Sequence, residues 1–461
     1  MPPSKTAPVL RRLREHSAEQ ACALFAARVN FQPPEKERVR LFSHAKTFWL
    51  FLWQVLSGNL SCSETVQSAL AWLSLEQGVV ASPNTAAFCK ARKRLERTAL
   101  DKALTQVVSN LESRATPDAL FPGRRVRIVD GTGLSMPDTA ANQKRFPQSS
   151  RQQPGCGFPI LRLVAVFSLA TGALLHAAWD AFSTHERTLF HRLWDAFAAG
   201  DLVVGDRGFC GYADFWILRK RGVDCLMRNH QRRSTGQKIM KRLGAADHLV
   251  AWFKTGARPQ WMSLETWATM PDEMTVRQIE VAVEIAGFRT QKIILATTLL
   301  DPQTFPTAHF AELYRRRWYI ELFLRDIKIS LGMDVLKCKT PDMVEKELTM
   351  YLIAYNLIRS LMLDAAEKRG GSPLRLSFKR VADAIRQWAP LIHAVRANRE
   401  KAERLTRNLL DCIARLGVPD RPDRIEPRAI KRRRKNYQLL NKPRNQFKEI
   451  AHRNKYKAPL S

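Results

Sequence analysis

AELYRRRWYIELFLRDIKISLGM, residues 311–333, is the stretch on which the fold and function turn. Its Tyr314, Arg317, Glu321 and Lys328 are spaced Y-x2-R-x3-E-x6-K. On a helix advancing about 100° per residue, with Tyr314 at 0°, Arg317 falls at about 300°, Glu321 at about 340° and Lys328 at about 320°. The four share an arc of roughly 60°. Leu313, Ile320, Phe323, Leu324, Ile327 and Leu331 fall beside it, at about 180–280°, as a stripe suited to burial. One carboxylate, two cations and a phenol therefore line the edge of a packed face. A carboxylate there can hold a metal ion while the cations hold phosphate. Arg325, near 20°, joins that face, whereas Asp326, at about 120°, is excluded from it. Any one of these charges also fits an ordinary solvated helix surface. Their joint spacing is rare in a chain of ordinary composition.

The whole chain is strongly basic. Seventy-five Lys and Arg face 43 Asp and Glu over 461 residues, a formal charge of +32. That excess calls for a polyanionic partner: nucleic acid, ribosomal RNA or an anionic membrane surface. No run approaches the roughly 18 apolar residues of a membrane span. FWLFLWQVL at 48–56 reads as a buried helix, and MPPSKTAPVLRRLREH lacks the apolar centre of a signal peptide. The eight cysteines are scattered without a C-x-x-C pair, so they read as reduced thiols of a cytoplasmic protein and not as a zinc site.

Along the chain, residues 1–115 read as helical, with apolar residues at three-to-four spacing in 17–29, 35–58 and 61–78. A further helix over 82–111, capped by Ser82 or Asn84, carries Lys90, Arg92, Lys93, Arg94 and Arg97 on its early turns. A basic helix after a short turn can enter a DNA groove, as in helix-turn-helix readers, or lie solvated in a bundle. From 120 strands alternate with helices. RRVRIVDGT reads as a strand ending at Asp130, and 160–180 as two strands around Thr171-Gly172. HERTLFHRLWDAFAAG reads as an amphipathic helix, DLVVGDRGF as a strand ending at Asp206, YADFWILRKRG as a helix and VDCLMRN as a strand. This is a mixed α/β pattern, three strands followed by β-α-β. Strand-like segments then form a β-rich insertion at 230–301. The opening segment follows as one long helix, then a strongly apolar helix over 341–370 that packs on the sheet, then helices at about 380–397 and 399–416. The domains are read as 1–115 helical and DNA-binding, 116–229 catalytic core, 230–301 insertion, 302–372 second part of the core, and 373–461 a helical region with a basic tail containing KRRRK at 431–435.

Asp130 and Asp206 each close an apolar strand, where open α/β sheets place their sites. A single strand-end Asp is often a turn former. Two of them with Glu321 make a three-carboxylate set suited to Mg²⁺. Asp138, in a loop after Pro137, reads as a turn former, and His176, His185 and His191 as structural. Arg207 and Lys144 are weaker candidates for phosphate contact.

These residues carry a resemblance. With VDGT at 129–132, VVGDRGF at 203–209, GLSMPDTAANQKRFP at 133–147, GFPILR at 157–162 and the Y-R-E-K set, the chain resembles the IS4 family of insertion-sequence transposases, a branch of the DDE transposases. It does so well over about 85–365 and more loosely before that. The resemblance implies a ribonuclease-H-like mixed-sheet core with a β-rich insertion between the second Asp and the Glu. It implies Asp130, Asp206 and Glu321 as catalytic, metal-holding acids with two Mg²⁺ ions, Mn²⁺ being able to substitute. It places Tyr314, Arg317 and Lys328 on DNA phosphates, with Arg325, Trp318, Lys90, Arg92, Lys93 and Arg94 as further DNA contacts. The implied partners are double-stranded DNA, both terminal inverted repeats and target, and a second copy of the chain in the DNA complex, with no membrane. The implied place is the bacterial cytoplasm, at the nucleoid. Relatives cut through a hairpin and flip a base onto an aromatic side chain of the insertion. Trp252, Trp261, Trp267 and Trp318 are the candidates for that role, and each also fits a packed core.

Overall fold

A computed structural model of the chain describes residues 23–34, 38, 40–77, 81–229, 238–254, 256–282, 292–419, 443 and 446. The KRRRK run lies outside the described residues.

Nine strands form one sheet: β1 (Arg125–Ser135), β2 (Ile160–Ser168), β3 (Leu174–Ala181), β4 (Asp201–Gly205), β5 (Asp224–Arg228), β6 (Ile239–Gly244), β7 (Asp247–Phe253), β8 (Glu273–Ala282) and β9 (Lys292–Thr297). Their order is β3-β2-β1-β4-β5-β9-β8-β7-β6. β2 runs antiparallel to both β1 and β3, whereas β1, β4 and β5 run parallel to one another. This is the ribonuclease-H-like arrangement, a mixed sheet of three hairpin-connected strands followed by a parallel pair. The strands at 239–297 continue the same sheet through the antiparallel β5–β9 pair.

The helices are α1 (Ala23–Ala26), α2 (His44–Leu56), α3 (Cys62–Gln77), α4 (Ala86–Arg94), α5 (Arg97–Glu112), α6 (Ala140–Arg145), α7 (Glu186–His191), α8 (Tyr212–Lys220), α9 (Leu264–Thr269), α10 (Thr307–Arg316), α11 (Tyr319–Arg325), α12 (Pro341–Glu367), α13 (Phe378–Ala394) and α14 (Arg399–Ile413). α12 is buried nearly all round, and its polar groups are spent on tying elements together. Asn356 bonds both the N–H and the C=O of Leu174 at 2.9 and 2.8 Å, and the Tyr355 hydroxyl donates to Gly172 O at 2.8 Å. Gly172, at φ +73, closes the β2–β3 turn, where a side chain would also press on Arg359.

Several elements differ from the sequence-based expectation. β1 does not stop at Asp130 but runs to Ser135, because β2 stays paired with it as far as Ser135↔Ile160. The amphipathic stretch after β3 forms only the short α7 and a 3₁₀ turn at Trp194–Ala196. The basic helix expected over 82–111 breaks at Leu95–Glu96 into α4 and α5. α4 starts after Thr85, while the Asn84 side chain accepts from Ala86 N at 2.8 Å.

The opening segment is not one continuous helix either. It tightens at Arg317–Trp318, where Ile320 N bonds Arg317 O at 3.0 Å and Glu321 N bonds Trp318 O at 3.1 Å. It then widens into a π turn at Asp326–Ser330. A tight turn advances more than 100° per residue and a π turn less, so a constant-angle wheel holds within α10 and α11 but not across them.

Candidate active site

The sheet register brings the first two acids together. β1 and β4 pair in parallel from Arg125↔Asp201 to Ile128↔Val204. Asp130 and Asp206 lie two positions beyond that last pair, Asp206 just past the end of β4, and their carboxylates are near enough to repel each other. β4 and β5 pair as far as Gly205↔Met227, which puts Arg228 at the same level on the third parallel strand. Sequence reading missed Arg228, although its place at the end of VDCLMRN was the available signal.

The face these residues share is the one that carries the motif. Phe167, opposite Ile128, packs on Phe323 and Tyr355 at 5.4 and 5.9 Å between ring centroids. Strand alternation puts Ile128, Asp130 and Thr132 on that side together. Lys328 confirms the side: its Nζ donates to Thr132 Oγ1 at 3.0 Å and Gly133 O at 3.1 Å, and pairs with Asp334 at 2.9 Å. Lys328 thus braces the π turn against β1.

Burial is the largest influence on the Asp130 carboxyl. It acts against the Gly131 N–H, which donates to Asp130 Oδ1 at 2.8 Å, and against the Arg317 charge. With Asp206 and Glu186 adding repulsion, the carboxyl is pushed up to about 6. Asp206 caps its own turn, its Oδ1 accepting from Gly208 N at 2.7 Å. Arg317 lies over the rings of Tyr314 and Trp318 at 5.3 and 5.9 Å, and its Nε is buried without a hydrogen-bond partner. Tyr314 is buried, which raises its hydroxyl, and it senses Arg317, Arg228 and Asp206. Trp318 is half-buried, and Glu321 and Arg325 are exposed. Asp326 turns inward, as the helix angle required, and pairs with buried Arg359 at 3.1 Å.

Among the described residues no three His, Cys, Asp or Glu side chains stand in a metal-holding cluster, so Glu321 does not complete one here. Asp130 and Asp206 nonetheless fit a divalent cation. They are adjacent oxygen donors whose mutual repulsion a hard cation offsets.

The other expected contacts divide. Lys90 and Lys93 are exposed on α4. Arg92 turns into the bundle, donating to Gln54 Oε1 at 3.2 Å and lying over the Phe51 and Phe88 rings. Arg94 donates to Phe42 O at 3.0 Å. Among the tryptophans, Trp252 is buried against Phe215, and Trp267 lies under Lys254 at 4.4 Å. Trp261 is 40% exposed and touches His191 and Trp194 at a cleft of about 730 Å³ that also holds Trp216, Arg192 and Lys220. His191 bonds buried Asp214 at 2.9 Å, a structural role. Asp138 accepts from Gln143 at 2.6 Å within its loop.

A mixed sheet with one acid within its central strand and a second just past the end of the neighbouring parallel strand, beside a Y-R-E-K segment, has the form of a DDE-type nucleic-acid enzyme. The chain belongs to the transposase DDE domain family, which it matches over residues 121–357. It is similar to the transposase InsG for insertion sequence element IS4 of Escherichia coli K12, at 28% identity over 353 residues, 75% of this chain and 76% of that protein. It is also similar to the transposase for insertion sequence element IS421 of Escherichia coli, at 23% identity over 346 residues, 67% of this chain and 84% of that one. A solved piggyBac transposase synaptic complex with hairpin DNA aligns over 88% of this chain and 82% of its own at 9% identity, with a TM-score of 0.44. The protein is a DDE transposase, of a family that uses divalent metal ions.

Proposed function

We propose that this transposase binds the terminal inverted repeats of its own element, cleaves at their ends and joins the released 3′ ends to target DNA, passing through a hairpin. The observation that carries this reading is the meeting of Asp130, Asp206 and Arg228, from neighbouring strands of the sheet, with Arg317 and Tyr314. Asp130 and Asp206 are the fixed donors of the site, and Glu321 adds the third carboxylate from an exposed side chain at the start of α11. These carboxylates would hold two Mg²⁺ ions, with Mn²⁺ as substitute, which when bound would supply Lewis-acid activation of the attacking oxygen and charge neutralisation at the leaving one. Arg317, Arg228 and the Tyr314 hydroxyl hold the scissile strand by its phosphates, with Arg325 and Trp318 at the rim. Lys328 fixes the motif segment on β1 and reaches DNA only after releasing Asp334.

Trp261 takes the flipped base. It is exposed, beside cations, at the mouth of a cleft, a combination that suits stacking of an unpaired base. Lys90 and Lys93 contact backbone phosphates, two copies of the chain hold the two ends, and the complex works in the bacterial cytoplasm. The five segments bounded at 115, 229, 301 and 372 act as the DNA-binding, catalytic and insertion units of this assembly.

A strand-cleavage and joining assay on a plasmid carrying the element's ends tests the reading. Asp130→Ala, Asp206→Ala and Glu321→Ala keep end binding and lose cleavage by at least about a thousandfold, the scale at which removing a catalytic group acts. Cleavage at wild-type rate in any of the three removes that residue from the site. Cleaved ends that never join a second DNA molecule reduce the protein to a nuclease.

A further inference from the structure

We infer that Glu186 is a positioning residue of the active site, strengthening cation binding by Asp130 and Asp206 from the opposite face of β1. The inference rests on the proposed metal-dependent reading of those two acids. Glu186 lies in the first turn of α7, and its carboxylate lies over Gly131, the residue after Asp130. A Cβ built on Gly131 would stand 2.7 Å from Glu186 Cδ and 2.8 Å from its Oε1. Glycine is therefore what lets a carboxylate lie against β1 beside the catalytic aspartate. The conformation of Gly131 itself does not require glycine, since it is not among the positive-φ glycines.

The only ion pair recorded for Glu186 among the described residues is Arg162 Nε at 3.8 Å, beyond hydrogen-bonding distance. Arg162 is otherwise engaged, donating to Thr184 O at 3.0 Å and lying over the Phe182 ring at 4.4 Å. The Glu186 charge is thus weakly offset by its ion partner, and, partly exposed to solvent, it stands against the backbone of the residue that follows Asp130. A third negative charge beside Gly131 favours a cation between the two aspartates without itself ligating it. Residues 131 and 186 are 55 positions apart and share no spacing signal, so only the packing of α7 on β2 and β3, which brings Glu186 over Gly131, shows the pair.

The test is Mn²⁺ binding to the full chain without DNA, read from the free-ion electron paramagnetic resonance signal. Glu186→Gln weakens Mn²⁺ binding about three- to tenfold, the scale of one partly screened charge. The Mg²⁺ concentration for half-maximal cleavage rises in step, while the rate at saturating Mg²⁺ and end binding in EDTA hold within twofold. Glu186→Asp restores part of the affinity. Gly131→Ala, which keeps the carboxylate but displaces it, reproduces the Gln phenotype. A purely structural Glu186 lowers the melting temperature in Glu186→Gln and leaves Mn²⁺ affinity unchanged, and that result overturns the inference. Asp130→Asn separates the two levels. If it binds Mn²⁺ like the wild type, the metal reading itself falls. If it loses Mn²⁺ while Glu186→Gln keeps it, only the role of Glu186 falls.

Discussion

Asp130 holds its proton to about pH 6 in the folded chain, against an ordinary value near 3.8. The folded state therefore binds more protons than the unfolded state between these values. The contribution of this group to stability is fully present below about pH 4 and is lost as pH rises through about 6. Asp130→Asn removes the charge that causes the loss. In EDTA the variant melts higher than the wild type at pH 7.5, and the difference closes near pH 4, where the wild-type carboxyl is neutral as well. Scanning calorimetry across this range checks it, and a gap independent of pH would contradict the assignment of the raised value to Asp130. Added Mg²⁺ narrows the gap at pH 7.5 by stabilising only the wild type, since ligand binding to the folded state alone raises its stability. The same residue shows what the sequence could convey. The apolar run before it and the glycine after it suggested a strand end, whereas β1 runs on through Asp130 to Ser135 and the carboxyl is largely buried. Burial comes first in setting its proton affinity, and the added repulsion comes from Asp206 and Glu186, 76 and 56 positions away; both are visible only in the folded chain.

At the scale of elements, the motif segment is held by a buried pair outside the signature. Asp326 in the π turn meets Arg359 of α12, and Arg359 also donates to Tyr355 at 2.9 Å and lies among the Phe323, Tyr355 and Phe378 rings. Removing one partner of a buried pair leaves an uncompensated charge. Arg359→Ala is therefore expected to cost about 3–5 kcal/mol, read by urea unfolding. Asp326→Asn with Arg359→Met restores much of that, because the charge and its desolvation leave together. A loss under about 1 kcal/mol in Arg359→Ala would mean that water reaches Asp326. The apolar period correctly put Asp326 off the Glu321 face, since within α11 and its next residue the helical angle still holds. It failed at Arg317–Trp318 and at Lys328, where 3₁₀ and π hydrogen bonds change the angle per residue without changing the apolar pattern. The strands of 239–297 were legible as strands, but their continuation of the catalytic sheet through β5–β9 depends on pairing between distant segments. On α4 the charge run was legible and its division was not. Arg92 and Arg94 turn inward because the bundle offers them acceptors and ring faces, which composition does not encode.

Over the whole molecule the formal charge of +32 sets how DNA is held. Each phosphate neutralised by a lysine or arginine releases condensed counterions, so log affinity falls linearly with log salt, with a slope near −0.9 per contact. A transposase gripping an end through six to ten phosphates loses about 10³–10⁵ in affinity between 50 and 200 mM salt. Lys90 and Lys93 are exposed and, on the proposed reading, contribute to this term, whereas Arg92 belongs to the bundle. Lys90→Ala with Lys93→Ala should therefore shallow the slope by about 2 and weaken terminal-repeat and unrelated DNA alike. Arg92→Ala should lower the melting temperature through the lost packing on Phe51 and Phe88, and alter the salt slope little. Titrations of labelled end DNA at four or five salt concentrations separate these outcomes. A double lysine variant with the wild-type slope would move the DNA-binding face away from α4, onto the basic residues around the Asp130–Asp206 row or beyond the described part of the chain. Because specific and unrelated DNA lose affinity together when phosphate contacts go, a selective loss for the terminal repeat would instead mark Lys90 or Lys93 as a reader of bases.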